Sequence, residues 1–194
     1  MTAQPLLAHF ERYLPFEEEE KALIEGRVSR RKVKRRELIL SSGEICRYYT
    51  FVVSGCFRMY ITDAEGKEHN ILFAAEGDWI YDIDSFHAPP PSQSNIQALE
   101  ASEVIQIAQK DLYYLYLNIL KLDRIFKVVT EEKYVELQNR VFQNISSTAQ
   151  QRYLSFLKQY PNLANRLPNT QIASYLGITP EFLSMIRKEI ASGQ

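Results

Sequence analysis

Two cysteines and three histidines are all that this 194-residue chain offers a soft metal. Cys46 and Cys56 are too few for a thiolate zinc or iron–sulfur site, and both fall in sequence that reads as strand, so buried free thiols are expected. His9, His69 and His87 stand far apart without ligand spacing. That counts against one open alternative, a cupin-like metal-dependent barrel enzyme, whose metal needs clustered histidines and a carboxylate. No catalytic residue, metal site or cofactor is expected. The N-terminus has no apolar run of signal-peptide type, and no segment approaches the roughly 20 apolar residues of a membrane helix. A cytoplasmic chain with no membrane partner is the expectation. A formal net charge of −1 argues against a protein that coats nucleic acid indiscriminately.

What is present is 45% hydrophobic content, enough for one sizeable core plus a small satellite domain. The charge is also unevenly spread. Residues 148–194 hold five basic residues, Arg152, Lys158, Arg166, Arg187 and Lys188, against Glu181 and Glu189, a net of +3. The remainder is acidic.

The most specific pattern lies from Asn169 to Lys188. Ile172 and Leu176 sit one turn apart, Ala173 is small enough for a second helix to cross closely, and Gly177 can take the left-handed conformation that ends a helix. Thr179 suits the cap of a second helix, Pro180 its first position, and Glu181 the positive end of its dipole. Leu183 and Ile186 face the first helix. Glu181, Ser184, Met185, Arg187 and Lys188 are left on the outward face, where a DNA major groove would lie. This is a helix-turn-helix pattern, although an ordinary helical hairpin shares parts of it.

Upstream, Pro5 to Ile24 reads as helix interrupted at Pro15. Arg27 to Arg36 contains seven basic residues, and its alternation around Val33 predicts a solvated strand. From Leu38 to Ile107 the pattern is β, with Gly43, Gly55, Gly66 and Gly77 about 11 residues apart between short strand-like runs, as in an antiparallel sandwich or barrel. A helix over 122–145 then lacks Gly and Pro and places Val129, Tyr134, Leu137 and Val141 along apolar faces. It is long enough to join two domains and pack against its copy. Another helix from Arg152 to Gln159 and a loop from Pro161 to Leu167 precede the final motif.

With β-roll, long helix and helix-turn-helix in that order, the chain resembles the Crp/Fnr family of bacterial transcription regulators. Asp63-Ala64-Glu65-Gly66-Lys67-Glu68 and Gly77-Asp78-Trp79-Ile80 look like the hairpin and cassette entry of a cyclic-nucleotide-binding domain, and Ala173 to Glu181 is similar to a branch ending soon after its recognition helix. The resemblance implies an α+β fold: an antiparallel, jelly-roll-like β-roll with flanking helices and the long dimerisation helix in residues 1–147, and a small DNA-binding domain in 148–194. It implies a homodimeric regulator with double-stranded DNA and RNA polymerase as expected partners. Thr170, Thr179, Pro180, Glu181, Ser184, Met185, Arg187 and Lys188 become the DNA-contact set, and Val129, Tyr134, Leu137 and Val141 the dimer seam.

The cassette departs from that family's pattern. The Gly-Glu pair is replaced by Tyr81-Asp82 and the Arg-Ser pair by Ser92-Gln93-Ser94, and no arginine occurs between Arg58 and Arg124. A cyclic phosphate would lack its cationic partner, so cyclic AMP is not expected as effector. Trp79, Tyr81 and Phe86 either line a different small-molecule cavity or fill it as core. Met185, where relatives carry a guanine-reading arginine, leaves open a second alternative, an interaction module that keeps the fold without DNA affinity.

Overall fold

The computed structural model describes residues 3–88 and 90–192. Two short helices, α1 (Gln4–Glu11) and α2 (Glu18–Glu25), lead into β1 (Val28–Val33), β2 (Leu38–Leu40), β3 (Tyr48–Ser54), β4 (Phe57–Thr62), β5 (Glu68–Ala74) and β6 (Trp79–Ile80). After α3 (Ile83–His87) come β7 (Asn95–Ala98), β8 (Ser102–Ala108), and then α4 (Gln109–Asn118), α5 (Leu120–Ser146), α6 (Ala149–Gln159), α7 (Asn169–Leu176) and α8 (Pro180–Ser192). This is the α+β order expected from the sequence.

The strands form two four-stranded sheets, ordered β1-β8-β3-β6 and β2-β7-β4-β5. In the first, β3 and β8 are the inner strands, and most of their residues are buried on both faces. One face meets the roll interior; the other is covered where α1 touches β3 and α4 touches β8. Such strands read as nearly continuous apolar runs. β1 is an edge strand, and its basic residues suit that place, because charged edges resist pairing with a foreign strand. Arg30 makes two bonds of 2.7 and 2.8 Å to Glu103, and Arg31 meets Glu37 at 2.6 Å.

The turn after β3 requires its glycine. Gly55 has φ +98°, and a Cβ there would lie 2.0 Å from Ser102 Oγ. An alanine would therefore meet both backbone strain and a clash.

The chain divides into two compact units, residues 3–61 with 72–130, and residues 62–71 with 131–192. The first eleven residues of α5 belong to the first unit and the rest to the second. In the first unit Trp79 is the centre of an aromatic core, with its ring centroid 6.0 Å from Phe10, 5.2 Å from Phe51 and 5.2 Å from Phe126. Each of these buried rings contributes roughly 1.5–3 kcal/mol of hydrophobic stabilisation.

Candidate nucleic-acid interface

The second unit is built on caps and one left-handed turn. Thr148 caps α6, its Oγ1 accepting from Gln151 N at 3.3 Å while Gln151 Oε1 accepts from Thr148 N at 2.9 Å. At the end of α7, Gly177 takes φ 67° and ψ 34°, and Ile178 N donates back to Ala173 O at 3.0 Å. That six-residue closure turns the chain sharply into α8. Thr179 Oγ1 then accepts from Phe182 N at 3.2 Å, satisfying an orphan donor of the new helix. Ile172, Ala173, Leu176, Leu183 and Ile186 are buried where α7 and α8 meet, over a floor of Tyr153, Phe156 and Tyr160 from α6 and its end.

On the outside of α8 lie Glu181, Met185 and Lys188, all exposed, with Thr179 and Thr170 exposed at the starts of α8 and α7. Pro180 and Ser184 are half-buried. Ser184 Oγ donates to Pro180 O at 2.9 Å and accepts from Asn169 Nδ2 at 3.3 Å, so its hydroxyl is already engaged. Phe182, 45% exposed one turn before Met185, was not among the expected contacts. Its apolar type reads as core, and only the helix phase shows that it stands outside.

Arg187 is a correction. Expected outward, it is half-buried, with its guanidinium 5.5 Å from the Tyr153 ring centroid and Nη2 donating to Ala164 O at 3.3 Å. The position lies one residue beyond Ile186 on the helix flank, and the long side chain reaches back over α6 instead of into solvent. Arg152 likewise turns inward to Ser147 O at 2.9 Å. Lys158, Arg166 and Lys188 remain as exposed cations of residues 148–192.

A contact absent from the sequence reading holds α7 in place. Asn70, buried to 2% exposure in the 62–71 segment, donates from Nδ2 to Gln171 O and Gln171 Oε1, each at 2.9 Å. Its N–H reaches Ser174 Oγ at 3.1 Å, and that hydroxyl donates to Glu68 O at 3.0 Å. Arg140 on α5 closes the arrangement, with Nη2 3.0 Å from Asn70 O and 3.1 Å from Tyr175 O. Asn70 and Ser174, paired in this way, favour one geometry, because alternatives leave a buried donor or acceptor unmatched.

In the first unit the expected cassette residues separate into two groups. Trp79 is core, and Tyr81 is half-buried against Tyr49 with ring centroids 3.6 Å apart. Asp82 caps α3, accepting from Asp84 N and Ser85 N, and receives the Ser92 hydroxyl at 2.6 Å. Ser94 N donates to Ser92 Oγ at 3.0 Å, while Gln93 is exposed. The Asp82–Ser92–Ser94 group thus satisfies itself with negative and neutral atoms. Arg58 is buried, stacked on Tyr60 and bonded to Gln97 Oε1; Arg124 is exposed on α5.

Along α5, Tyr134 is 64% exposed, Leu137 54% and Val141 48%, and Phe142 and Ile145 are exposed as well. Val129 corrects the expected seam: it is buried at 5% exposure inside its own unit and has no surface to offer a partner. No helix among the described residues is long and apolar enough to cross a membrane, and none of their His, Cys, Asp and Glu side chains cluster as a metal site.

Comparison with known proteins identifies the fold. Residues 30–118 match the family model of the cyclic nucleotide-binding domain. The chain is similar in fold to FixK2 from Bradyrhizobium japonicum, at 19% identity and TM-score 0.73 over 86% of this chain and 85% of that one. A CooA mutant from Carboxydothermus hydrogenoformans gives 16% identity and TM-score 0.73 over 99% and 85%. A protein of Eubacterium rectale, described as a candidate transcriptional regulator of the Crp/Fnr family, gives 17% and 0.70 over 96% and 89%. The chain therefore has the fold of Crp/Fnr regulators. No curated protein matches it in sequence.

Proposed function

We propose that the protein is a homodimeric, DNA-binding transcription regulator that performs no catalysis. The observation that carries the reading is the α7–Gly177–α8 corner, which buries five apolar side chains inside and leaves Glu181, Phe182, Met185 and Lys188 on one open helix face. A capped, rigid helix with such a face fits a major groove. Lys188 supplies a phosphate contact, Glu181 an acceptor for a cytosine amino group, and Met185 an apolar surface for a thymine methyl.

The exposed apolar stripe of Tyr134, Leu137, Val141, Phe142 and Ile145 supports a second copy packed along α5, because a lone soluble helix rarely leaves so much apolar surface to water. The absence of any arginine between Arg58 and Arg124 supports a regulator that does not answer to cyclic AMP. Selection of bound fragments from a genomic DNA pool, followed by titration at several salt concentrations, tests the reading. Sequence-selective, salt-sensitive binding is expected; indifference to DNA at low salt would leave the fold as an interaction module.

A further inference from the structure

At one end of the roll the two sheets part around a cavity of about 300 Å³. Leu40 and Ile96 come from one sheet, Thr50, Ile80 and Gln106 from the other, and the loop of residues 44–48 forms the mouth. None of the cassette residues Trp79, Tyr81, Asp82, Ser92, Gln93 and Ser94 lines it. It is a separate space within the first unit.

Its floor is polar and buried, with Thr50 at 2% and Gln106 at 5% exposure. Gln106 Nε2 donates to Thr50 Oγ1 at 3.1 Å. That bond uses one acceptor on Thr50 and one of the two Gln106 amide protons, and leaves three groups without partners among the described residues: the Gln106 side-chain carbonyl, its second amide proton and the Thr50 hydroxyl proton. One buried acceptor beside two buried donors matches a group that donates once and accepts up to twice. A hydroxyl does this.

The walls above are aliphatic, and a cavity of this size lies at the lower end of ligand pockets, room for roughly six to ten non-hydrogen atoms. The mouth carries one unpaired cation. Arg47 is exposed and has no acidic partner among the described residues. Glu44 also borders the mouth, but its carboxylate accepts from Ser41 N at 2.9 Å and is bound into its own turn. Cys46 lines the wall as a thiol, since burial pushes its pKa up and keeps it neutral.

We propose that this cavity binds a small aliphatic carboxylate with a hydroxyl at its far end. Arg47 holds the carboxylate at the wet mouth, where an anion keeps part of its hydration and gains a charge-assisted bond. Leu40, Ile80 and Ile96 enclose the chain. Gln106 and Thr50 receive the hydroxyl. The opposite orientation would bury the anion against a floor with no charge to offset its desolvation.

The probe is 6-hydroxyhexanoate, titrated calorimetrically into the full-length protein beside hexanoate, which lacks the hydroxyl, and 1,6-hexanediol, which lacks the charge. Saturable binding with a dissociation constant of roughly 0.1–1 mM is expected for the hydroxy acid, an affinity in keeping with a ligand of so few atoms. Each control should bind at least about tenfold more weakly. Arg47→Gln should remove the preference over hexanediol, and Thr50→Val together with Gln106→Leu the preference over hexanoate, while Glu44→Gln, which takes a like charge from the mouth, should not lower either. Thermal melting of each variant shows that it is folded, and the surface change Arg47→Gln carries the test if the floor variants are not. Absence of saturable heat to about 10 mM, equal affinity for all three probes, or indifference to Arg47→Gln would overturn the proposal.

Discussion

The guanidinium of Arg140 lies over the ring of Tyr175, 4.0 Å from its centroid, while the same side chain donates to the Tyr175 carbonyl at 3.1 Å. One residue of α5 thereby holds α7 by its face and by its backbone. Arg140→Ala should cost the second unit about 2–3 kcal/mol, from the lost stacking and the two lost charge-assisted hydrogen bonds to Asn70 O and Tyr175 O. Lysine cannot span both acceptors and the ring with a planar fork, so Arg140→Lys should recover less than half. Urea unfolding followed by far-ultraviolet dichroism measures both; a wild-type midpoint in Arg140→Ala refutes the assignment.

On DNA, Lys188→Ala should weaken binding to every sequence alike and lower the salt dependence by about one phosphate contact. Glu181→Ala and Met185→Ala should instead relax preference at single base positions, each by roughly 1–3 kcal/mol. Arg187→Ala should reduce thermal stability, because its side chain packs on Tyr153 and bonds Ala164 O. Fluorescence anisotropy over a salt series, paired with melting curves, separates the two kinds of effect.

Cyclic AMP and cyclic GMP should give no saturable binding at physiological concentration. The Asp82–Ser92 pair, which the family resemblance matches to the cassette, carries no cation, and Arg58 is already bonded to Gln97. Calorimetry with either nucleotide decides it, a micromolar dissociation constant being the contrary result.

Acid should weaken the first unit through His9. Burial first, and the neighbouring Arg12 second, push its pKa down to about 4 from 6.5. Trp79 Nε1 donates to Nε2 of this ring at 3.2 Å, which places the neutral ring's proton on Nδ1, so a second proton, added at Nε2, sets donor against donor and puts a positive charge beside Arg12. The unfolded chain takes up that proton below pH 6.5 and the folded one only near 4. Stability from this group is therefore complete above pH 6.5 and falls as pH drops from 6.5 toward 4, by at most roughly 3–4 kcal/mol. Denaturant midpoints for wild type and His9→Gln at pH 7 and pH 4.5 should converge at the lower pH; a constant gap would contradict the mechanism.

Leu137→Glu should separate the subunits before it unfolds them, since Leu137 is 54% exposed within one chain and its charge harms only a packed partner. Sedimentation at micromolar concentration compares it with wild type. A monomeric wild type, or a mutant that stays dimeric, would end the proposed seam.

Much of the architecture was legible from residue spacing. Gly177 after Leu176, Thr179 before Pro180 and the glycine-punctuated strands act over a few residues, where steric limits and orphan backbone groups leave few solutions. The α5 periodicity was equally readable, yet it gave Val129 and Leu137 the same apolar standing. Only packing distinguished them, by covering one and leaving the other in water.

What the sequence by itself determined was therefore the local order: an N-terminal helix, a solvated basic strand, short glycine-punctuated strands, a long helix and two helices joined at Gly177, all specified by short-range stereochemistry. The tertiary structure alone decided that Asn70 pairs with Gln171, that Arg187 folds back on Tyr153, and that Gln106 and Thr50 face a cavity between sheets. Each of these joins residues far apart along the chain. No spacing rule reaches so far, because the partner of a polar group is settled by which surfaces the folded chain brings within hydrogen-bond range.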